Sequence, residues 1–153
     1  MTTLGETQMS GITDTDLDDI LALCPRLYAA VGWDAEKAPD WDIFRACCHP
    51  DATLAALSSG AASPIPVEVF IAAMNEQRAT GALANFSEVE IARHVEAFGN
   101  VAGVRSSFIA EMNGERRRGV TFAHIVRHEG RWVILSAIWD NEGDGKTIPA
   151  SLI

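Results

Sequence analysis

Beyond Ser87 the apolar residues recur at every second position for most of the remaining chain. That period belongs to a strand, whose successive side chains point to opposite faces, so the C-terminal half is read as sheet. The turn signals "FGNV", "MNGER" and "HEGR" divide it into four strands, each close enough to the one before for an antiparallel hairpin. Such a meander has one face to bury, and the N-terminal half must supply the cover.

That half carries helical periodicity. From Thr15 the residues Leu17, Ile20, Leu21, Cys24, Leu27, Tyr28 and Val31 form one apolar stripe. Asp14, Asp16, Asp18 and Asp19 crowd its start, where carboxylates cap free amides and complement the helix dipole. Pro25 removes an amide donor, which predicts a kink near Leu21. The stretch "DWDIFRACCH" predicts a short second helix capped by Asp40 and stopped by Pro50, and "ATLAALSS" predicts a strand. A third helix follows the "GAASPIP" loop, with Val67, Phe70, Ala73, Met74 and Gln77 inward and Gly81 as its end. The expected architecture is α+β, three helices on one side of a curved antiparallel sheet, with residues 1–12 as a loose arm and 13–153 as a single domain.

A chain of 153 residues suits one domain, able to bury roughly two thirds of its unfolded surface. Its net charge of −9 argues against a nucleic-acid or anionic-membrane partner, which would need a basic footprint. The run Arg116, Arg117 and Arg118 reads as a solvated turn. "MTTLGETQMSG" has neither the charged lead nor the apolar core of a signal peptide, and no apolar run reaches membrane length, so a cytoplasmic location is expected. Cys24, Cys47 and Cys48 lack zinc or redox spacing and read as buried free thiols.

Register arithmetic then selects an inner face. With Gly99 and Asn100 as the turn, one face of the first hairpin pairs Ala97 with Ala102, Val95 with Val104, Arg93 with Ser106, Ile91 with Phe108 and Val89 with Ala110. The opposite face holds Glu96, His94, Arg105, Ala92, Ser107, Glu90 and Ile109. The first is apolar except for Arg93 and Ser106, and a buried guanidinium needs a partner. Two readings stay open: an ion pair with a helix carboxylate such as Asp42 or Glu76, or a contact with the carboxylate, carbonyl or phosphate of a small molecule.

The hairpin turning at Glu129 and Gly130 has apolar residues on both faces, so its parity is open. One parity puts Thr121, Ala123 and Ser136 inward, and Phe122, His124, Leu135 and Trp139 outward, an apolar surface that predicts a homodimer. In the reverse parity His124 becomes the best acid/base candidate, whereas a strand histidine otherwise suits an edge or interface. His94 near Glu96 and Glu90 gives no full metal-ligand set, and no metal is expected. Neither a phosphate loop nor a nucleophile elbow is present, and no nucleotide cofactor is expected.

The stretches "FRACCHPDATL", "FSEVEIARHVEAFGNVAGVRSSF" and "RRGVTFAHIVRHEGRWVILSAIWDNE", with the tail "TIPASL", resemble the superfamily of nuclear transport factor 2 and ketosteroid isomerase, often labelled SnoaL-like. The resemblance runs from the first helix to the C-terminus. It implies a cone-shaped, cystatin-like α+β roll with a cavity under the helices, and a fold that hosts isomerases, dehydratases, cyclases, hydrolases and non-catalytic domains. Ketosteroid isomerases use a carboxylate base and an oxyanion hole of tyrosine and protonated aspartic acid. Those carboxylate positions fall on Ala56 and near Ala123, and Tyr28 alone matches the tyrosine, so that chemistry is disfavoured.

The cavity residues implied are Tyr28, Arg93, Ser106, Thr121 and Ser136, with Tyr28 and His124 as the catalytic candidates. Two functions follow as expectations. One is a cofactor-independent acid/base enzyme acting on a small, partly apolar substrate with a carbonyl or anionic group. The other is a non-catalytic ligand-binding or dimerisation domain. A carboxylate or neutral histidine in the cavity is the feature that separates them.

Overall fold

The computed structural model describes residues 11–58, 60 and 62–153, so of the expected N-terminal arm residues 1–10 lie outside the described residues. Helices α1 (Asp14–Val31) and α2 (Trp41–Ala46) lead into strand β1 (Cys48–Ala56). The short β2 (Ile65–Pro66), helix α3 (Val67–Thr80) and four long strands follow: β3 (Phe86–Phe98), β4 (Val101–Met112), β5 (Glu115–His128) and β6 (Arg131–Asn141). The six strands form one sheet in the order β2-β1-β6-β5-β4-β3. The meander is antiparallel throughout, while β1 joins β6 in parallel, because the chain crosses from one edge of the sheet to the other through α3. This is the expected α+β layering.

Helix α1 opens with a capping box: Thr13 Oγ1 accepts from the Asp16 amide at 3.0 Å, and Asp16 Oδ2 accepts from the Thr13 amide at 3.0 Å. Asp16 reaches further, accepting from Arg127 Nη1 at 3.1 Å and from Trp132 Nε1 at 3.0 Å, so the helix start is pinned to the last hairpin. These donors hold its carboxyl well below the usual carboxylate range, Arg127 first among them. The other end of α1 is pinned by Trp33, which exchanges backbone hydrogen bonds with Phe86 and donates its indole N–H to Leu83 O at 2.9 Å. Clamped at both ends, the helix lays Ile20, Leu23, Cys24, Leu27, Tyr28 and Val31 onto the sheet. Burying each of its larger apolar side chains contributes about 1.5–3 kcal/mol.

Several boundaries differ from the sequence reading. Helix α2 ends at Ala46, and the strand begins at Cys48 rather than Ala52, with Pro50 at an irregularity between Cys48 and Thr53 where a missing amide costs little. Helix α3 buries Val67, Ile71 and Met74; Phe70 is half-buried, and Ala73 and Gln77 are exposed, because the helix lies at the sheet's rim with a narrower stripe inward. Cys24, Cys47 and Cys48 are buried and free. No helix of the described residues is long and apolar enough to cross a membrane.

The hairpin turns are those the sequence marks. Gly99 adopts φ +58° ahead of Asn100, while Asn113–Gly114 and Glu129–Gly130 have positive φ at both central residues, the twist-matched pattern for two-residue loops. From these turns the register runs as expected until a bulge interrupts it on β3 between Glu90 and Ala92, and a second interrupts the β5–β6 pair between His124 and Ile125.

Candidate functional site

The bulge on β3 decides what the site contains. Near the turn, Val95 pairs with Val104 and Arg93 with Ser106; past Ile91, Glu90 pairs with Phe108 and Glu88 with Ala110. One unpaired residue exchanges the two faces of the strand. The expected inward residues Ile91 and Val89 are exposed, and the expected outward Glu90 turns in, together with Glu88.

Glu90 joins a buried polar chain. Ser106 Oγ donates to Glu90 Oε2 at 2.6 Å, within the range of a charge-assisted bond, and Glu90 Oε1 lies 3.5 Å from Arg93 Nη1. Tyr28 Oη stands 3.0 Å from Ser106 Oγ and 3.0 Å from Thr121 Oγ1. All three hydroxyl residues are buried in an otherwise apolar layer, with the Tyr28 ring tilted against Phe108 at 5.4 Å. Burial pushes the phenol up from its ordinary value, so it stays protonated.

Glu88 has no such chain. Its carboxyl makes no hydrogen bond or ion pair among the described residues, and desolvation pushes it up to about 8. It lines a cavity of about 30 Å³ with Tyr28, Thr121, Leu27, Leu54 and Trp139. That volume holds one or two water molecules. The cavity is roofed by aromatics: Phe70 of α3 stacks on Phe44 at 5.4 Å and meets Trp139 edge-on at 6.0 Å. Phe70 is only half-buried and belongs to a helix packed at the sheet's rim.

Three expected site residues therefore converge, Tyr28, Ser106 and Thr121, and two do not. Arg93 occupies its expected register, but β3 is the edge strand, and its guanidinium turns to the rim, where it remains 46% exposed and donates to Leu21 O at 3.1 Å. Neither Asp42 nor Glu76 pairs with it. Ser136 is placed outward by the second bulge: Leu135 is the extra residue, so Ala137 and Trp139 turn in, while Ser136 pairs with His124 and lies 3.3 Å from its Nδ1. His124 is exposed on the outer face, and Trp139, expected outward, packs over the cavity.

Sequence reasoning missed Glu88 and Glu90. The signal available was indirect: Arg93 and Ser106 both need an inner-face carboxylate, and on β3 only a bulge provides one. Larger concavities lie elsewhere. One of about 630 Å³ runs between Arg116–Arg118 and the segment around Glu142, but its cations are already engaged, Arg118 with Glu142 and Lys146 with Asp140. Among the described residues no group of three metal-ligating side chains occurs.

Residues 33–140, which include β1 and all of the meander up to Asp140, match the model of the family described as "Putative lumazine-binding". The chain belongs to that family. Its structural relatives agree with the fold. A protein of unknown function with a cystatin-like fold from Nostoc punctiforme superposes with a TM-score of 0.67 at 14% identity, covering 86% of this chain and 95% of that one. An NTF2-like protein with a cystatin-like fold from Novosphingobium aromaticivorans gives 0.67 at 16% identity, covering 91% and 89%. A protein from the same organism described as "Putative Scytalone Dehydratase" gives 0.62 at 12% identity, covering 89% and 91%. No curated protein matches. The family match covers β3 and β5, which supply Glu88 and Thr121, but begins after α1, so Tyr28 lies outside it.

Proposed function

We propose that this member of the lumazine-binding-like family binds a small, largely apolar molecule in the space between α1, α3 and the sheet, and that Glu88 exchanges a proton with it. The observation that carries this reading is the Glu88 carboxyl: part-buried, without a hydrogen-bond or ion-pair partner among the described residues, raised by burial, and lining the cavity with Tyr28 and Thr121. A carboxyl poised near neutrality serves as acid or base without a cofactor, a role worth typically ~10²- to 10⁴-fold in rate. Ala56 and Ala123 have no titratable group, so an isomerase of the ketosteroid type has no base at those positions, and Glu88 supplies a different one. The reaction class is proton transfer at a carbon or oxygen of the ligand, as in an isomerisation, dehydration or cyclisation.

The cavity takes an organic ligand only if its lining moves, and the family's lumazine, a fused heterocycle, needs that opening too. A fragment screen read by backbone and side-chain NMR tests the site. Fragments that bind here shift Glu88, Tyr28, Thr121, Phe70 and Trp139 together; shifts confined to the outer sheet face contradict the reading.

A second property is favoured by a separate observation. Phe98, Val101, Phe122, Leu135 and Ile138 are exposed on or beside the outer face of the sheet. These side chains share one face of the sheet, and we infer that a second copy of the chain covers it.

A further inference from the structure

The buried hydroxyls form a chain with a direction. Each hydroxyl carries one proton, and an ionised carboxylate accepts only. Glu90, beside Arg93, accepts the hydrogen bond that the Ser106 hydroxyl donates at 2.6 Å. Ser106 then has only lone pairs for Tyr28, so the phenolic proton points to Ser106 and away from Thr121. At the 3.0 Å contact between Tyr28 and Thr121 the donor is therefore Thr121. All three protons run toward Glu90, and the end nearest the cavity shows lone pairs.

We propose that Glu90 and Arg93 act as positioning residues that make the hydroxyl side of the cavity accept hydrogen bonds rather than donate them, so that this side selects a neutral molecule bearing an O–H or N–H, such as a phenol, enol or lactam, over an oxyanion. The proposal rests on the binding reading above and deepens it. It has a chemical consequence: Tyr28, whose proton is committed to Ser106, is not an oxyanion donor, and a protonated Glu88 is the one donor among the cavity's polar groups. Among the described residues no cationic side chain lines the cavity to attract an anion.

The chain can be reversed by removing Ser106. In Ser106→Ala the Tyr28 proton has only Thr121 to go to, and the Thr121 proton is released toward the cavity. Glu90→Gln removes the charge that fixes the direction and should act likewise, to a smaller degree. The probe is 4-nitrophenol, whose neutral and phenolate forms absorb at different wavelengths, measured at one fixed pH. Wild type is expected to bind the neutral form, and the bound phenolate-to-phenol ratio should rise about tenfold or more in Ser106→Ala, the gain from one hydrogen bond to a charged oxygen. A bound phenolate in wild type, or the same ratio in all three proteins, overturns the proposal.

The proton chain can also be read without any ligand, because Tyr28 is the chain's one tyrosine. The tyrosine Fermi doublet in the ultraviolet resonance Raman spectrum reports donor and acceptor roles. It should show both roles in wild type and a donor alone in Ser106→Ala; an unchanged doublet refutes the direction assigned here. Failure of the probe to bind any of the proteins counts against the binding reading, while the doublet still decides the chain.

Discussion

The guanidinium of Arg93 donates to the carbonyl oxygen of Leu21 across 3.1 Å, and Pro25 is the reason that oxygen is free. In an unbroken helix the amide four residues on would take it, and proline has no N–H. A half-exposed arginine on the edge strand thus completes α1, which runs from Asp14 to Val31 without a break. Arg93→Met should cost about 1–3 kcal/mol, since water can reach the vacated carbonyl but the mostly buried Glu90 carboxylate loses its cation. In a Pro25→Ala background, where an amide competes for Leu21 O, that cost should fall by roughly half. Urea denaturation of the four proteins measures the coupling, and an equal cost in both backgrounds breaks the link.

Glu88 should make stability depend on pH in an unusual direction. Its folded-state value, about 8, lies above the ordinary 4.5, so between those limits the folded chain holds a proton that the unfolded chain has lost. Stability from this group is full below about pH 4.5, declines as pH rises, and stops changing above about 8. Glu88→Gln should therefore match wild type near pH 5 and exceed it at pH 9, by about 1–3 kcal/mol once residual solvation is allowed for. Melting curves at the two pH values check this, and an equal offset at both removes the titration from the account.

Asp16 shows the opposite sign. Its carboxyl is held low by Arg127, Thr13 and Trp132, so its contribution is present above the ordinary carboxylate value and is lost as pH falls toward the folded-state one. Asp16→Asn keeps the shape and loses the charge. Its melting temperature should fall at pH 7, with the gap to wild type narrowing in acid. Hydrogen exchange should show the first turn of α1 opening before the rest, and uniform protection along α1 would count against the clamp.

Gly119 is required by packing rather than by backbone conformation. A Cβ there would run into the Phe108 ring, lie 2.5 Å from Asn141 Oδ1 and 2.8 Å from Asp140 O. Gly119→Ala should destabilise by about 1–3 kcal/mol, measured by chemical denaturation. A neutral result means the Phe108 ring moves aside freely.

The outer face makes a prediction about mass. Light scattering at micromolar concentration should give twice 16.5 kDa, and Phe122→Glu should halve the value without unfolding the chain. A wild-type monomer contradicts the inferred interface.

Much of this architecture was legible in the sequence because the turns are. Gly99, Asn113–Gly114 and Glu129–Gly130 fix three hairpin registers, and alternation carries each register outward along its strands. What alternation cannot carry is a bulge. Ile91 and Leu135 are ordinary strand residues with no glycine or proline beside them, so nothing local marks the slip. Beyond Ile91 the faces exchange, and glutamates that read as solvated become the polar heart of the site. Beyond Leu135 the same exchange takes Ser136 out of the cavity and brings Trp139 in. In "WVILSAIW" both faces are apolar, so even the starting parity rested on the resemblance. Arg93 failed as a pocket residue for another reason: register fixes a face, whereas the edge position of β3 was set by the sheet order.

The account stands or falls on the carboxyl of Glu88. Carbon-13 NMR of protein labelled at the glutamate side-chain carboxyl, titrated with and without Glu88→Gln, reads it directly. The prediction is one resonance titrating near pH 8, missing from the variant and perturbed by any fragment that shifts Tyr28 and Thr121. A wild-type titration in which every glutamate ionises in the ordinary carboxylate range would leave the cavity without its acid or base and contradict the proposed function.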